Sequence, residues 1–325
     1  MQASFVIPLH NCLALTQECL RTLVATLPSR LDAEIVLVDD ASTDGTAAWL
    51  RELTAAPARG PAVVTLRNET NAGFGVTCNR GAAVARGDLL FFLNSDLVLT
   101  LGWFEPMRDT LARHPEAGLV GNVQLVAATG EVDHTGIAFN HQGKPVHEQH
   151  ASRAERRAGL RSVPALTGAC FALHRSTWRE LGGFDEAYVN GAEDVDLCLR
   201  ALAAGRKNYV ALRSVVRHHV SQSPGRKRHD EQNSRRLMER WRQALAPLAA
   251  RAWCRNYLAR EWSGPRDPGD FPRATRALLL AGGLQRRPPP AILDGVEHAI
   301  ESEAARWRRL LDGAPAEPDA GPMVI

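Results

Sequence analysis

Through the first hundred residues, short and nearly unbroken apolar runs alternate with helical patterns. Ser4-Phe5-Val6-Ile7-Pro8-Leu9 ends in the polar pair His10-Asn11, and a helical spacing of Leu13, Cys19, Leu20, Leu23, Val24 and Leu27 follows. Glu34-Ile35-Val36-Leu37-Val38 ends at Asp39-Asp40, and Ser42 or Thr43 can cap a helix running through Leu53. Val63 to Leu66 predicts a third strand, Asn71 to Ala85 a helix opened by glycine, and Asp88 to Leu93 a fourth strand ending at Asn94-Ser95-Asp96. Strands of this kind between helices predict a parallel sheet covered on both faces. Ligands of such sheets sit beyond the carboxyl ends of the strands, where every polar cluster named so far falls.

From Gly118 onward the pattern loosens. Val120 to Leu125, Gly136 to Phe139 and Thr167 to Leu173 read as strands, and Ser176 to Leu181 as a helix. The stretch from His141 to Arg161 reads as loop, with a basic run of Arg153, Arg156, Arg157 and Arg161. A final strand pair, Asn208 to Leu212 and Val215 to His219, makes the sheet mixed and predicts one α/β domain over residues 1–225. Residues 226–325 form a helical extension: Arg226 to Glu261 is Arg-rich with Leu237, Trp241, Leu245, Leu248 and Trp253 at helical spacing. Gly264 to Pro272 reads as a linker, Ile292 to Leu311 as a helix, and the tail from Gly313 as disordered.

Composition narrows the class without naming it. The chain has 325 residues, 45% hydrophobic and 23% charged, with a net charge of +3 that demands no nucleic-acid partner. No Cys-x-x-Cys occurs among the six cysteines, which read as reduced core residues of a cytoplasmic protein. No signal peptide is evident, and the longest apolar candidate for a membrane span, Leu89 to Phe104, is broken by Asn94, Ser95, Asp96 and Gly102.

The candidate chemistry is acidic. Glu193-Asp194-Val195-Asp196 opens a helical run, where carboxylates ordinarily cap free N–H groups and complement the dipole. Three acidic loops together, at Asp39-Asp40, at Asp96 and at Glu193-Asp194, point instead to a metal-assisted or general-base site. Asp39-Asp40 carries more carboxylate than a cap needs and can accept the imide N–H of a pyrimidine base. Asn71-Ala72-Gly73-Phe74-Gly75 with Asn79-Arg80 lacks the Walker and dinucleotide spacings, so its glycines serve either a phosphate or a tight turn. Asp96 suits a turn or a Mg²⁺ or Mn²⁺ ion completed by a nucleotide diphosphate, and His218 or His219 can supply a further ligand. His141, His147 and His150 read as structural or surface residues, and Asp196 as a helix-start carboxylate paired with Arg200.

The ordered set resembles the family 2 glycosyltransferases of the GT-A fold, in particular the bacterial rhamnosyltransferase-like branch that builds surface polysaccharide or modifies surface proteins. It comprises Val6-Ile7-Pro8 with Asn11, Val38 to Thr46, Asn71 to Gly75, Phe92 to Asp96, Thr167-Gly168-Ala169, Gly182 to Glu186, Glu193 to Arg200, and His218 with Ser223. The resemblance implies a nucleotide-sugar half over 1–100 and an acceptor half over 101–225. It implies that Asp39 or Asp40 holds the base and that Pro8, Asn11, Asn71, Gly73, Phe74, Asn79, Arg80, Asn94, Ser95, Asp96 and Gly168 line the nucleotide-sugar site. Asp96 and His218 would bind Mn²⁺ or Mg²⁺, and Asp194, with Glu193 beside it, would be the base. Asn94 stands where the family's first aspartate does, which bears on metal affinity.

The expectation is an inverting transferase moving a sugar from a UDP- or dTDP-sugar to a glycan, lipid-linked or protein hydroxyl. Its C-terminal helices would pack on the domain, pair two copies or contact the inner membrane peripherally. Two rivals are a GT-A nucleotidyltransferase, which would want a basic glycine loop after the first strand, and a catalytically degenerate binding or scaffold protein, which Asn94 alone supports.

Overall fold

The computed structural model describes residues 2–55, 60–219, 229–260 and 271–312. Ser223, the basic residues Arg226, Lys227 and Arg228, the expected domain boundary at 225, most of the expected linker, and the tail from Gly313 lie outside these residues. The polypeptide divides into two compact units, residues 1–138 with 145–227 and residues 139–144 with 228–325.

The first unit is built on one mixed sheet. Its parallel half comprises β1 (Ala3–Leu9), β2 (Ala33–Asp39), β3 (Ala62–Arg67) and β4 (Leu89–Leu93), in the spatial order β3-β2-β1-β4. The helices α1 (Leu13–Thr26), α2 (Thr46–Ala55) and α3 (Phe74–Val84) connect them. Beyond β4 lies antiparallel β11 (Cys170–His174), then β6 (Ala117–Val126), then β12 (Lys207–His218) parallel to β6, and β10 (Leu160–Val163) at the edge. The fold is therefore the mainly parallel α/β sheet that the apolar runs predict.

Adjacent positions on β4 anchor the two faces, because successive strand side chains point to opposite sides. Phe91 packs with Phe5 at 5.1 Å between ring centroids and with Phe104 at the same distance, beneath α1 and α4 (Phe104–Arg113). Phe92 stacks on Phe171 at 4.8 Å and meets Trp178 of α6 (Arg175–Leu181) at 4.5 Å on the other side. Beneath α3 the fit leaves room only for glycine: a Cβ on Gly81 would lie 2.5 Å from Val6 Cγ1. At the amino end of the sheet, buried Glu34 accepts from Ser4 Oγ at 2.6 Å and Arg86 Nε at 2.9 Å. Burial alone would raise its pKa, but these hydrogen bonds hold it below the usual value.

Several elements differ from the sequence expectation. The final strand pair is one strand, β12, whose register against β6 slips between Ala211 and Val215, where Ser214 Oγ donates to Trp103 O at 2.5 Å. The stretch read as loop after His141 contains β9 (Pro145–His147), α5 (Arg153–Ala158) and the start of β10. α5 buries no residue, so it has no apolar stripe to read; its only signal is the Ser152/Glu155 capping box. Two three-residue strands, β5 (Leu97–Leu99) on β12 and β7 (Val132–His134) on β6, and the helix α4 also lack a sequence reading above. The cap of α2 is not Ser42 or Thr43: Asp44 accepts the Thr46 amide at 2.9 Å, and its other oxygen accepts Leu13 N at 3.1 Å, so one carboxylate serves the starts of two helices.

The second unit holds α8 (Asp230–Arg260), α9 (Phe271–Ala281) and α10 (Pro290–Asp312), with a short turn from the β8 (Ile137–Phe139) to β9 hairpin. Its α9 begins inside the expected linker, because Pro272 stands in the first turn, where a missing N–H costs nothing. Buried Glu303 of α10 gathers Lys144 Nζ at 2.6 Å, Gln142 Nε2 at 3.0 Å and Arg306 Nε at 2.6 Å. No helix among the described residues is long and apolar enough to cross a membrane.

His134 is fully buried on β7, and both its ring nitrogens lack a hydrogen-bond partner among the described residues. Burial, reinforced by the charges of His147, Arg161 and His218, pushes its pKa well below the usual value, so it folds neutral. The unfolded chain takes up that proton below its unperturbed value of about 6.5, so this contribution is complete above that pH and is lost as pH falls. Chemical denaturation from pH 7 to 5 should show stability falling by up to about 1.4 kcal/mol per pH unit from this group, and His134→Phe should flatten the fall.

Candidate active site

The carboxyl ends of β1, β2, β3 and β4 open onto one rim of loops. Asp40 ties the first part together. Its Oδ1 accepts Asn68 Nδ2 at 2.6 Å and Ala72 N at 2.8 Å, its Oδ2 accepts Gly73 N at 2.9 Å, and its own amide donates to Leu9 O at 2.7 Å. Asp39 accepts Ser42 N at 2.9 Å and pairs with Arg67. Both carboxylates are buried and both are engaged, Asp40 in holding the glycine loop and Asp39 in the turn that starts at Ala41.

Asn11 laces the β1 loop to the β2 loop: its Oδ1 accepts Thr43 N at 2.8 Å, and its amide donates to Ser42 Oγ at 2.8 Å. Pro8 is half-buried in β1 beside Val38. Asn71 lies exposed beside His10, 3.2 Å from Nε2, and Arg80 reaches back to Asn68 from α3. Gly73 caps α3 at φ +88°, a conformation that favours glycine.

Asn79 sits further along α3 and faces inward to the protein. Its Oδ1 accepts Phe184 N at 2.9 Å, and its Nδ2 donates to Phe184 O at 3.0 Å and Glu186 Oε1 at 2.9 Å. It thus clamps the Gly182–Glu186 turn. The Phe74 ring lies 5.6 Å from the Phe184 ring, and the Phe74 amide donates to Asn190 Oδ1 at 3.0 Å. Through Asn190 the glycine loop meets the acidic loop.

The acidic loop opens α7 (Glu193–Ala203), and its three carboxylates have separate surroundings. Asp196 is buried and paired with Arg200 Nε at 2.8 Å, as the i,i+4 spacing predicts. Glu193 is buried and accepts Gly191 N at 2.6 Å. Asp194 is half-buried, and its Oδ2 accepts Gly168 N at 2.6 Å while Oδ1 accepts Val195 N at 2.8 Å. A Cβ on Gly168 would come within 3.2 Å of Asp194 Cβ, so glycine there lets the two backbones close on each other.

The same Gly168 loop reaches the end of β4, where Asn94 N donates to Ala169 O at 2.8 Å. Ser95 follows, half-buried, and β5 then turns back against β12 with Leu97 opposite His218. That pairing sets His218 Nε2 3.1 Å from Asp96 Oδ1, whereas His219 faces Glu18 at 3.6 Å. Asp96 Oδ1 and His218 Nε2 are close but not aligned as a hydrogen bond, and among the described residues Asp96 Oδ1 and His218 Nδ1, both buried, have no hydrogen-bond partner. A hard carboxylate oxygen with an imidazole nitrogen, His218 Nε2, beside it is a donor set that suits a divalent cation. No group of three or more His, Cys, Asp or Glu gathers as a cage among the described residues, and of these Asp96 and His218 meet at this point.

Arg67, Asn68 and Asn190 belong to this rim and lack a sequence reading. The first two sit at the end of β3, where the rule that places ligands beyond strand ends also points. Asn190 precedes the acidic run, but its reach to the glycine loop spans 116 residues and leaves no local trace.

A mainly parallel sheet with acidic loops at its carboxyl edge is the GT-A architecture. Residues 4–182, more than half of the chain, match the family model described as glycosyl transferase family 2, and the chain belongs to that family. It is 28% identical over 314 residues to the O-antigen biosynthesis protein RfbC of Myxococcus xanthus, covering 93% of this chain and 22% of that protein. It is 29% identical over 233 residues to polypeptide N-acetylgalactosaminyltransferase 4 of Caenorhabditis elegans, covering 66% and 38%. The chain thus spans well under half the length of these relatives. Two solved structures share the fold: GalNAc-T7 with UDP, GalNAc and Mn²⁺ at TM-score 0.61 and 19% identity, covering 87% of this chain and 54% of that one, and S. aureus TarS 1–349 with UDP-GlcNAc at TM-score 0.56 and 15% identity, covering 98% and 93%.

Asp40 accepts from three donors, two of which, Asn68 Nδ2 and Gly73 N, keep a second acceptor at 3.1 Å in Thr77 Oγ1 and Asn71 Oδ1, so Asp40→Ala should cost about 1–3 kcal/mol. Urea denaturation measures this, and Asp40→Asn should recover part of the loss.

Proposed function

We propose that this chain transfers a sugar from a nucleoside-diphosphate sugar to an acceptor hydroxyl, inverting the anomeric centre. The observation that carries the reading is the Asp194 carboxylate, fixed at the rim by the Gly168 and Val195 amides. These two bonds occupy about half of its lone-pair positions. The rest can receive the proton of a sugar hydroxyl as it attacks, the role of a general base. Glu193 acts through the loop, fixing the Gly191 turn that presents Asp194.

The donor lies along the rim between the Asp39 turn and the Asn94–Asp96 turn. Asp39 takes the base, with Arg67 shifting to admit it, while Asp40 stays committed to the glycine loop. Pro8, Asn11, Asn71, Gly73, Phe74, Arg80 and Gly168 shape the cleft, and Asn79 acts by holding the Phe184 turn against Phe74. Asp96 and His218 would hold Mn²⁺ or Mg²⁺, which would supply Lewis-acid stabilisation of the leaving diphosphate. GalNAc-T7 was solved with UDP and Mn²⁺ and TarS with UDP-GlcNAc, which supports a UDP-sugar donor. The relative named for O-antigen biosynthesis supports a role in bacterial surface glycans, with a glycan or lipid-linked acceptor.

Asp194→Asn keeps an acceptor for the Gly168 amide but removes the base, so transfer should fall by about 10²–10⁴-fold while UDP-sugar binding by calorimetry stays near wild type. A turnover equal to wild type would remove Asp194 from the role of base. In thermal-shift measurements with UDP, Mn²⁺ should raise the melting temperature of the wild type by mass action. His218→Ala should abolish that increment and leave the melting temperature without metal within a few degrees.

A further inference from the structure

The second unit carries a basic, apolar surface that its own packing does not use. α9 has two stripes. Ala274, Ala277 and Leu280 are buried within the unit. Phe271 and Leu278, seven residues apart and so on one helix face, are 53% and 55% exposed, Leu279 beside them is 38% exposed, and Leu284 just past the helix is 82% exposed. Phe271, Leu278 and Leu284 thus expose large apolar side chains to water, while the stripe of Ala274, Ala277 and Leu280 is packed.

Charge distinguishes this surface from the rest of the unit. On α8 and α10 several arginines pair with acids: Arg235 with Glu239 and Asp312, Arg242 and Arg308 with Glu301, and Arg306 with Glu231 and Glu303. Between Phe271 and Leu293 the sequence has Arg273, Arg276, Arg286 and Arg287 and not one Asp or Glu. All four are exposed, and no ion pair involves them among the described residues.

We propose that α9 and the Gly282–Arg287 turn lie against an anionic lipid surface. Phe271, Leu278 and Leu284 enter the headgroup boundary, and the four arginines meet lipid phosphates. An apolar face with a cationic surround is what an interfacial helix presents. A second copy of the chain fits less well. Four part-exposed side chains fall short of the roughly 800 Å² per partner that a stable interface needs, and a twofold contact would bring like charges together.

Co-sedimentation of the full chain with phosphatidylglycerol-rich vesicles, and with vesicles of phosphatidylcholine alone, tests this. Binding should be strong to the first, weak to the second, and reduced by salt. Each of Arg276→Gln and Arg286→Gln should weaken it about fivefold, which is about 1 kcal/mol per arginine. Leu278→Ser with Leu284→Ser should weaken it further, while circular dichroism and melting temperature stay at wild-type values, since these side chains are already in water. Equal binding to both vesicle types, unchanged binding by the variants, or no binding to either overturns the proposal. So does a dimer in sedimentation velocity that Leu278→Ser dissolves, which would make a second copy the occupant.

Discussion

The rim of this sheet depends on one buried carboxylate. Asp40 receives Asn68 from the end of β3 and two amides from the glycine loop, and its backbone amide is tied to Leu9 of β1. A buried anion is tolerable only when its lone pairs are met, and here they are met by the groups whose positions define the cleft. The same bonds that make the charge affordable therefore set the loops. Asn68 passes the constraint to Thr77 and Arg80, and the glycine loop passes it through Phe74 to Asn190 and the start of α7.

Backbone strain gathers at the same edge. Asn11, Cys12, Ala41, Asn190 and Ala192 are the non-glycine residues with positive φ among the described residues, and all five stand in the rim loops. For alanine this conformation costs roughly 1–2 kcal/mol, and side-chain hydrogen bonds around these turns hold them in place. Ser42 and Asp39 close the turn around Ala41, and Glu193 accepts the Gly191 amide just before Ala192. Strain held this way keeps the loops in one arrangement, as the proposed roles of Asp194 and Asp96 would require.

What the sequence discloses follows from range. The strands buried on both faces read clearly, because every residue of β2 is buried and all but one of β1. The motif order disclosed the family, and local spacing disclosed the Asp196–Arg200 pair. Partnerships across the chain did not show: Asn79 reads as a ligand contact, yet its amide is spent 105 residues away on Phe184. Asp39 and Asp40 read alike as neighbours, and only the fold separates the one paired with Arg67 from the one that holds the loop. Short polar elements such as α5 were hidden because they bury nothing, so no periodicity marks them.

At the β4 turn, Asn94 in place of a carboxylate changes the local charge. With Asn94 in place of a carboxylate, the β4 turn brings a single anionic side chain, Asp96, to the point where His218 waits. Asn94 is not idle, since its amide ties the turn to Ala169 and its carbonyl accepts from Cys19, whose thiol burial pushes up to about 12 and keeps neutral. One carboxylate beside one imidazole offers a divalent cation little charge compensation without a diphosphate. On the proposed reading, ion and nucleotide then enter as linked ligands, each raising the affinity of the other. On that reading the diphosphate would be part of the metal site, and charge would assemble at the rim chiefly when a donor is bound.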